Sequence, residues 1–400
     1  MKVLHLSTTG GSGGGAGRAA ATLHQAMLKQ GTDSHMWTAS GLRYGISKRA
    51  DRQLWRLQRS ATRTWRSPAF FGSLKAKDID AFGADVVNLH WVTDGFLSIE
   101  QIGKIRTPVV FSLYDMWVFT GSEHYGVNSP DARWRSCYTA ENRPQSESGF
   151  DLDRWTWERK CQSWQSMSLI AASSKFTDLA RESALARDWP IQRIPHVIDT
   201  EEMAPQTRSA ARNALGIGHD DPIVLFMSSA GIEDQRKGFD LLMEAMGEVI
   251  AAIPRAQVLV VGPHSPSDHH IGGIPVRFFG TTQSNETLRS LYSAADVTVV
   301  PSREDNMPLT AMEAQACGCT VVAFDLGGLP DIVEHQRTGF LAPPFETGAL
   351  AEGLLLALSG SRNGQSWGSA ARVKASREWS VPVVVSQYLK AYEEVFGRSQ

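Results

Sequence analysis

The sequence predicts an α/β protein made of two doubly wound, mainly parallel sheets followed by a terminal helix. Short β-branched runs alternate with helical periodicity along most of the chain, the pattern of repeated strand–helix–strand units. The alternation closes near residue 200 and restarts at Ile223, which divides the chain into residues 1–200, 201–380 and a last helix over 381–400. A length of 400 residues suits two domains of ordinary size, each able to bury its own core.

Val3 to Ser7 reads as the first strand. The stretch TGGSGGGAGRAAATLHQAMLKQG behind it is a glycine-rich loop opening a helix with Ala19, Leu23, Ala26 and Met27 on one face. Gly13, Gly14, Gly15 and Gly17 let backbone come close to a phosphate, or serve a tight turn. A dinucleotide site is disfavoured because no acid stands near Thr38 to Ser40, where the second strand ends. A Walker A loop is excluded, since no Gly-Lys-Ser/Thr follows.

Between Arg43 and Arg66 stand eight basic residues (Arg43, Lys48, Arg49, Arg52, Arg56, Arg59, Arg63, Arg66) and one acid, Asp51. Ile46, Ala50, Leu54, Leu57, Ala61 and Trp65 recur at helical spacing, which predicts a basic amphipathic helix. Such a helix suits an anionic membrane surface or, equally, solvent. Asp85 to His90 and Val109 to Tyr114 read as buried strands whose ends deliver His90, Trp91, Tyr114 and Asp115 to the rim of the glycine-rich loop. Ser129 to Phe150 reads as a polar loop, and Asp78, Asp80, Asp151 and Asp153 as turn and helix-capping acids. MSLIAA, a helix after Ser173-Ser174, and IPHVID close the first domain; residues 200–216 read as a linker and short helix.

In the second domain, Ile223 to Met227 is a strand and FDLLMEAMGEVIAAI a helix. Arg236 and Lys237 stand at that helix's start, where the dipole disfavours cations, and a bound anion would offset the violation. Val258 to Gly262 and Val276 to Gly280 are further strands, with His264, His269 and His270 in a loop between them. Val297 to Val300 then stops at Pro301, a polar loop runs from Ser302 to Met307, and Pro308 marks a helix that ends at Gly318. Thr320 to Phe324 and a Gly327-Gly328 turn complete the unit. Asp305 and Glu313 bracket the helix start, so amides facing a phosphate and carboxylates facing hydroxyls suit a nucleotide-sugar.

The run SREDNMPLTAMEAQACGC resembles the E-x7-E signature and following segment of the retaining GT-B glycosyltransferases of family four, in the branch with colanic-acid-type exopolysaccharide transferases. The resemblance implies two Rossmann-like domains facing a cleft, with the last helix crossing back to the first. It implies a UDP- or GDP-sugar donor, a glycan or lipid-linked acceptor, retention of configuration, and neither metal nor cofactor. Asp305 falls on the first acidic place, with Glu304 beside it, and Glu313 on the second. Lys237 matches the phosphate-binding lysine, and Arg236 stands in for an arginine whose usual place holds Ile232. Asn306, Met307, Leu309 and Thr310 would hold phosphate and sugar, Gly280 would flank the base, and Gly14 and Gly15 would face the donor's phosphate. SLYDMWVFTGSEHYG resembles the branch pattern LHDMWPFTGGCHY, which puts His90, Tyr114, Asp115 and His124 on the acceptor side, with Tyr114 where the family has histidine. A nucleotide-sugar epimerase or phosphorylase, and a catalytically silent partner of a polysaccharide assembly complex, are the alternatives.

Composition adds limits. A net charge of −2 gives no general pull toward nucleic acid. The apolar part of MKVLHLSTTGG is too short for a signal peptide, and no window approaches the ~20 apolar residues of a membrane span. Cys137, Cys161, Cys317 and Cys319 lack zinc spacing, which points to a reducing cytoplasm.

Overall fold

A computed structural model describes residues 1–11, 13–60, 65–218, 221–264, 267–359 and 362–398. The chain divides into two compact units, the first being Met1–Ile194 with the chain from Val385 onward, the second Pro195–Val384. The sequence reading divides the chain at 200 and 380, a few residues from these boundaries.

The first unit is built on a six-stranded sheet ordered Asp33–Thr38, Lys2–Ser7, Val86–Leu89, Val109–Leu113, Ser168–Ala171, Ile191–Arg193, every neighbouring pair parallel. Its four central strands are buried along nearly their whole length, as a sheet covered on both faces requires, whereas the two edge strands, DSHMWT and IQR, are polar and partly exposed. From Val385 on, the Val381–Arg398 helix completes this unit. Tyr392 accepts from Asn88 at 2.6 Å, and Gln192 donates to Glu394 at 2.7 Å.

The second unit holds a seven-stranded sheet ordered Ser267–Ile271, Ile274–Gly280, Gln257–Val261, Ile223–Met227, Val297–Val300, Thr320–Phe324, Gly339–Ala342. All its pairs are parallel except the first, an antiparallel hairpin turning at Gly272-Gly273, both with positive φ. The expected loop with His269 and His270 is therefore an edge strand. Two adjacent glycines that make a tight turn replace the crossover a parallel strand needs.

Two other expectations change. The basic segment is not one helix: Gly41–Gln53 is helical, Leu54–Leu57 is a 3-10 turn, and Gln58–Arg59 pairs as a strand with Ser148–Gly149. Asp51 is no surface acid: its buried carboxylate accepts from the Ala69, Phe70 and Phe71 amides and anchors the helix to the domain. Arg63 and Ala61 lie outside the described residues. The stretch from Ser129 to Phe150 is no free loop either, because Trp134 and Tyr138 are buried in the first core. Asp151 caps the next helix as expected, whereas Asp153 is buried against Arg66 at 3.2 Å. Residues 208–215 form the expected short helix, but its Arg212 is fully buried and bonds Asp296 at 2.9 Å, so this segment belongs to the second unit.

Candidate active site

Loops leaving the carboxyl ends of neighbouring parallel strands lie side by side. In the second unit those strands are Ile223–Met227, Val297–Val300 and Thr320–Phe324, so the loops bearing Arg236, Asp305 and Gly327 converge. Glycine makes the approach feasible. A Cβ on Gly238 (φ +70°) would lie 2.0 Å from the Pro301 carbonyl oxygen, and one on Gly327 (φ +61°) 2.0 Å from that of Asp305. The Arg303 amide donates to the Arg236 carbonyl at 2.8 Å and joins two of the loops.

Lys237 Nζ donates to Asp305 Oδ2 at 2.6 Å, and Ser302 Oγ donates to the same oxygen at 3.2 Å. Arg236 donates to the Glu304 carbonyl at 3.3 Å and pairs with Asp234 at 3.3 Å. Burial pushes the Asp305 carboxyl up, but Lys237 and Arg236 outweigh it and hold the group below the usual carboxylate value. Burial pushes Glu304 up to about 7, with Arg236 opposing and Asp305 adding. Close by, burial pushes the His196 ring down to about 4 although Asp305 pulls the other way, so it is neutral. His196, Asp234 and Ser302 have no assigned site role in the sequence. The one signal is position: Asp234 and Ser302 stand in the loops that follow the Ile223–Met227 and Val297–Val300 strands.

The cations are therefore already compensated. Lys237 faces Asp305 and Arg236 faces Asp234, so the protein's own acids, rather than a missing anion, offset their place before the Phe239–Ala252 helix. A diphosphate would have to compete with them.

The Leu309–Ala316 helix starts after Pro308, and no side chain caps it. Leu309 and Thr310 are partly exposed at this positive helix end, whereas Asn306 and Met307 are buried. Glu313 is also buried and accepts from the Tyr292 hydroxyl at 2.9 Å. Gly280 has φ +94° and accepts from the Gly262 amide at 3.0 Å.

In the first unit, three adjacent strands end beside one another and bring the glycine-rich loop, His90 and Tyr114 together. The Gly14–Lys29 helix has no side-chain cap. A Cβ on Gly13 or Gly17 would run into Thr9, whereas Gly14 and Gly15 have open space. The cluster thus splits into packing glycines and exposed ones. His90 Nδ1 lies 2.9 Å from the Tyr114 hydroxyl, and its Nε2 lies 2.9 Å from Nδ1 of His5. Burial, then His90 and His24, push His5 well below the ordinary imidazole value, so it is neutral.

Asp115 accepts from the Trp91 indole and the Trp117 amide, both at 3.0 Å, and lies 2.6 Å from His124 Nδ1. The other His124 nitrogen meets Ser67 Oγ at 2.8 Å. With both ring nitrogens engaged and 2% exposure, His124 braces the wall rather than offering a contact to an acceptor, a correction to its expected place. The cavity lined by His90, Trp91, Thr93, Tyr114, Asp115 and His124 holds about 10 Å³, roughly one water, so a sugar does not fit inside it. Among the described residues no group of three or more His, Cys, Asp or Glu is placed to hold a metal ion.

The whole chain superimposes on sucrose-phosphate synthase from Thermosynechococcus elongatus with TM-score 0.70 and 19% identity, covering 100% of both chains. It also superimposes on HepE from Anabaena, solved in complex with UDP-glucose, with TM-score 0.65 and 18% identity, covering 98% of this chain and 100% of that one. The chain has the GT-B fold. Within this GT-B chain, residues 221–359 match the family described as Glycosyl transferases group 1, a segment that contains Arg236, Lys237, Asp305 and Glu313. D-inositol 3-phosphate glycosyltransferase from Saccharomonospora viridis is 36% identical over 172 residues, 39% of each chain. The protein of that name from Mycobacterium tuberculosis H37Ra is 33% identical over 221 residues, 51% of this chain and 44% of the other. These matches span less than half the length of either relative.

Proposed function

We propose that this protein is a retaining glycosyltransferase that moves a sugar from a UDP- or GDP-sugar to a hydroxyl of a glycan or lipid-linked acceptor, in assembly of an exopolysaccharide-type polymer. The observation that carries the reading is the Arg236, Lys237 and Asp305 cluster in the loops beside the uncapped Leu309–Ala316 helix, inside the group 1 match. A UDP-glucose complex of a protein with the same fold supports the donor class.

In the reaction, the bond from the anomeric carbon to the diphosphate oxygen breaks and a bond to the acceptor oxygen forms. The acceptor's proton passes to the leaving phosphate, and no protein nucleophile is needed. Charge growing on that phosphate is met by Arg236, Lys237 and the Leu309 and Thr310 amides. Asp305 with Asn306 and Met307 backbone orients the sugar, Glu313 lies toward the ribose, Gly280 toward the base, and Gly14 and Gly15 toward the phosphate. His90 and Tyr114 serve the acceptor side, positioned by Asp115 and His124. No cofactor or metal is assigned a step, and nucleic acid has no role. The free cysteines fit a reducing cytoplasm.

A donor panel scored for released UDP or GDP, with calorimetry on the same donors, tests the proposal. Donor binding with slow release of the nucleotide diphosphate supports transfer. Failure of every donor to bind supports the silent partner, and appearance of an epimeric nucleotide-sugar supports the epimerase.

A further inference from the structure

One face of the first unit carries aromatic side chains that the proposed reaction does not use. Phe70 and Phe71 are 44% and 38% exposed, Phe150 is 46% exposed and Leu57 48% exposed. They are contiguous. The Phe70 and Phe71 rings stand 4.9 Å apart, Phe70 lies 5.3 Å from the half-buried Trp155, and Trp155 lies 5.8 Å from Phe150. The Phe150 amide donates to the Leu57 carbonyl at 2.9 Å, so these two side chains are neighbours at the end of the Gln58–Arg59 and Ser148–Gly149 pair.

The platform is held from beneath. The buried Arg159 guanidinium sits 5.0 Å from the Phe70 ring and 4.5 Å from that of Trp155. It donates to the Pro68 and Ala69 carbonyls at 2.8 and 3.0 Å and bonds Glu100 at 2.6 Å. Asp51 holds the Phe70 and Phe71 amides at 2.8 and 3.2 Å. An apolar patch that the interior fixes so firmly, yet leaves in water, marks a contact surface.

Charge selects the partner. Gln58 points inward, so strand alternation turns Arg59 outward on the same side as Leu57. Arg56 and Arg59 are exposed, and neither forms an ion pair among the described residues. The acids nearby are committed: Glu147 and Asp153 to Arg66, Asp151 to Arg133, Glu158 to Arg154. Exposed aromatic rings bordered by unpaired arginines match the boundary of an anionic bilayer, where rings enter the acyl edge and guanidinium groups meet phosphates.

We propose that Leu57, Phe70, Phe71, Phe150 and Trp155, with Arg56 and Arg59, form a docking face for an anionic lipid bilayer. The face replaces the continuous amphipathic helix that the basic segment suggests, and it does not depend on the identity of the sugar reaction.

Co-sedimentation of the full chain with phosphatidylcholine vesicles, with and without phosphatidylglycerol, tests it. Wild-type protein should bind the anionic vesicles, release in high salt, and ignore pure phosphatidylcholine. Arg56→Gln with Arg59→Gln should weaken binding roughly thirtyfold, from the contribution of each basic residue near such a surface. Phe70→Ser with Phe150→Ser should abolish binding at low salt while the far-UV spectrum is kept. Arg255→Gln, on the second unit, should change nothing. Binding that survives both pairs of substitutions, or no binding to anionic vesicles at all, overturns the proposal. A concentration-dependent dimer lost with the Phe70 and Phe150 substitutions, without vesicle binding, assigns the face to a second copy of the chain and also overturns it.

Discussion

Replacing Lys237 with methionine separates two effects that a simple loss of activity would merge. The Lys237 and Asp305 side chains are 20% and 11% exposed and meet at 2.6 Å, so removing the ammonium leaves a buried carboxylate without its nearest charge. Breaking such a pair costs ~3–5 kcal/mol, which is roughly a 10 °C fall in Tm for a domain of this size. If Lys237 also meets the leaving phosphate, turnover should drop on the order of 10² to 10³-fold.

The sign of the pH dependence follows from Asp305. Its folded value lies below the ordinary one, so its stabilising contribution is present above that ordinary value and is lost as pH falls through the folded value. Without Lys237, burial dominates and the value rises, so the variant's stability deficit should be widest near neutrality and shrink on acidification. Lys237→Met with Asp305→Asn removes both charges together and should regain stability to within about 1 kcal/mol of wild type, while turnover stays low. Thermal melts from acid to neutral pH, and released nucleotide diphosphate measured on the same preparations, give both readouts. Full turnover in Lys237→Met, or recovery of turnover in the double variant, refutes a phosphate role for Lys237.

Glu304, pushed up to about 7, gains a negative charge as pH rises through neutrality, so donor affinity should decline there. Glu304→Gln should flatten that limb in calorimetry across pH, and an unchanged limb would place its cause elsewhere. Burial and then Asp153 push Glu123 up to about 8 from the ordinary 4.5, so folded wild-type protein should lose stability as pH climbs through that interval. Urea melts of Glu123→Gln should show a shallower loss. Gly238→Ala combines a positive φ with a Cβ 2.0 Å from the Pro301 carbonyl, and should lower stability by ~1–3 kcal/mol along with turnover, read by melting and donor assay. Tyr114→Phe removes the hydroxyl 2.9 Å from His90 Nδ1 and should cost ~0.5–1.5 kcal/mol of stability in thermal melts, the size of one hydrogen bond.

Local pattern by itself determined most of the parallel strands and the helices between them. Val297–Val300, Leu309–Ala316 and Thr320–Phe324 lie where β-branched runs, a proline and a glycine place them, since these signals act within a few residues. The helix start at Pro308 was legible for the same reason. Tertiary structure alone decided what charged side chains do. Helical spacing cannot register that Asp51 is buried and binds three amides eighteen to twenty residues away. Nor can the sequence show that Lys237 meets Asp305 across 68 positions, or that His124 spends both ring nitrogens on Asp115 and Ser67. Periodicity reports which face is buried, whereas the energy of a charge depends on the partner that folding brings within about 3 Å, and sequence distance carries no record of that partner.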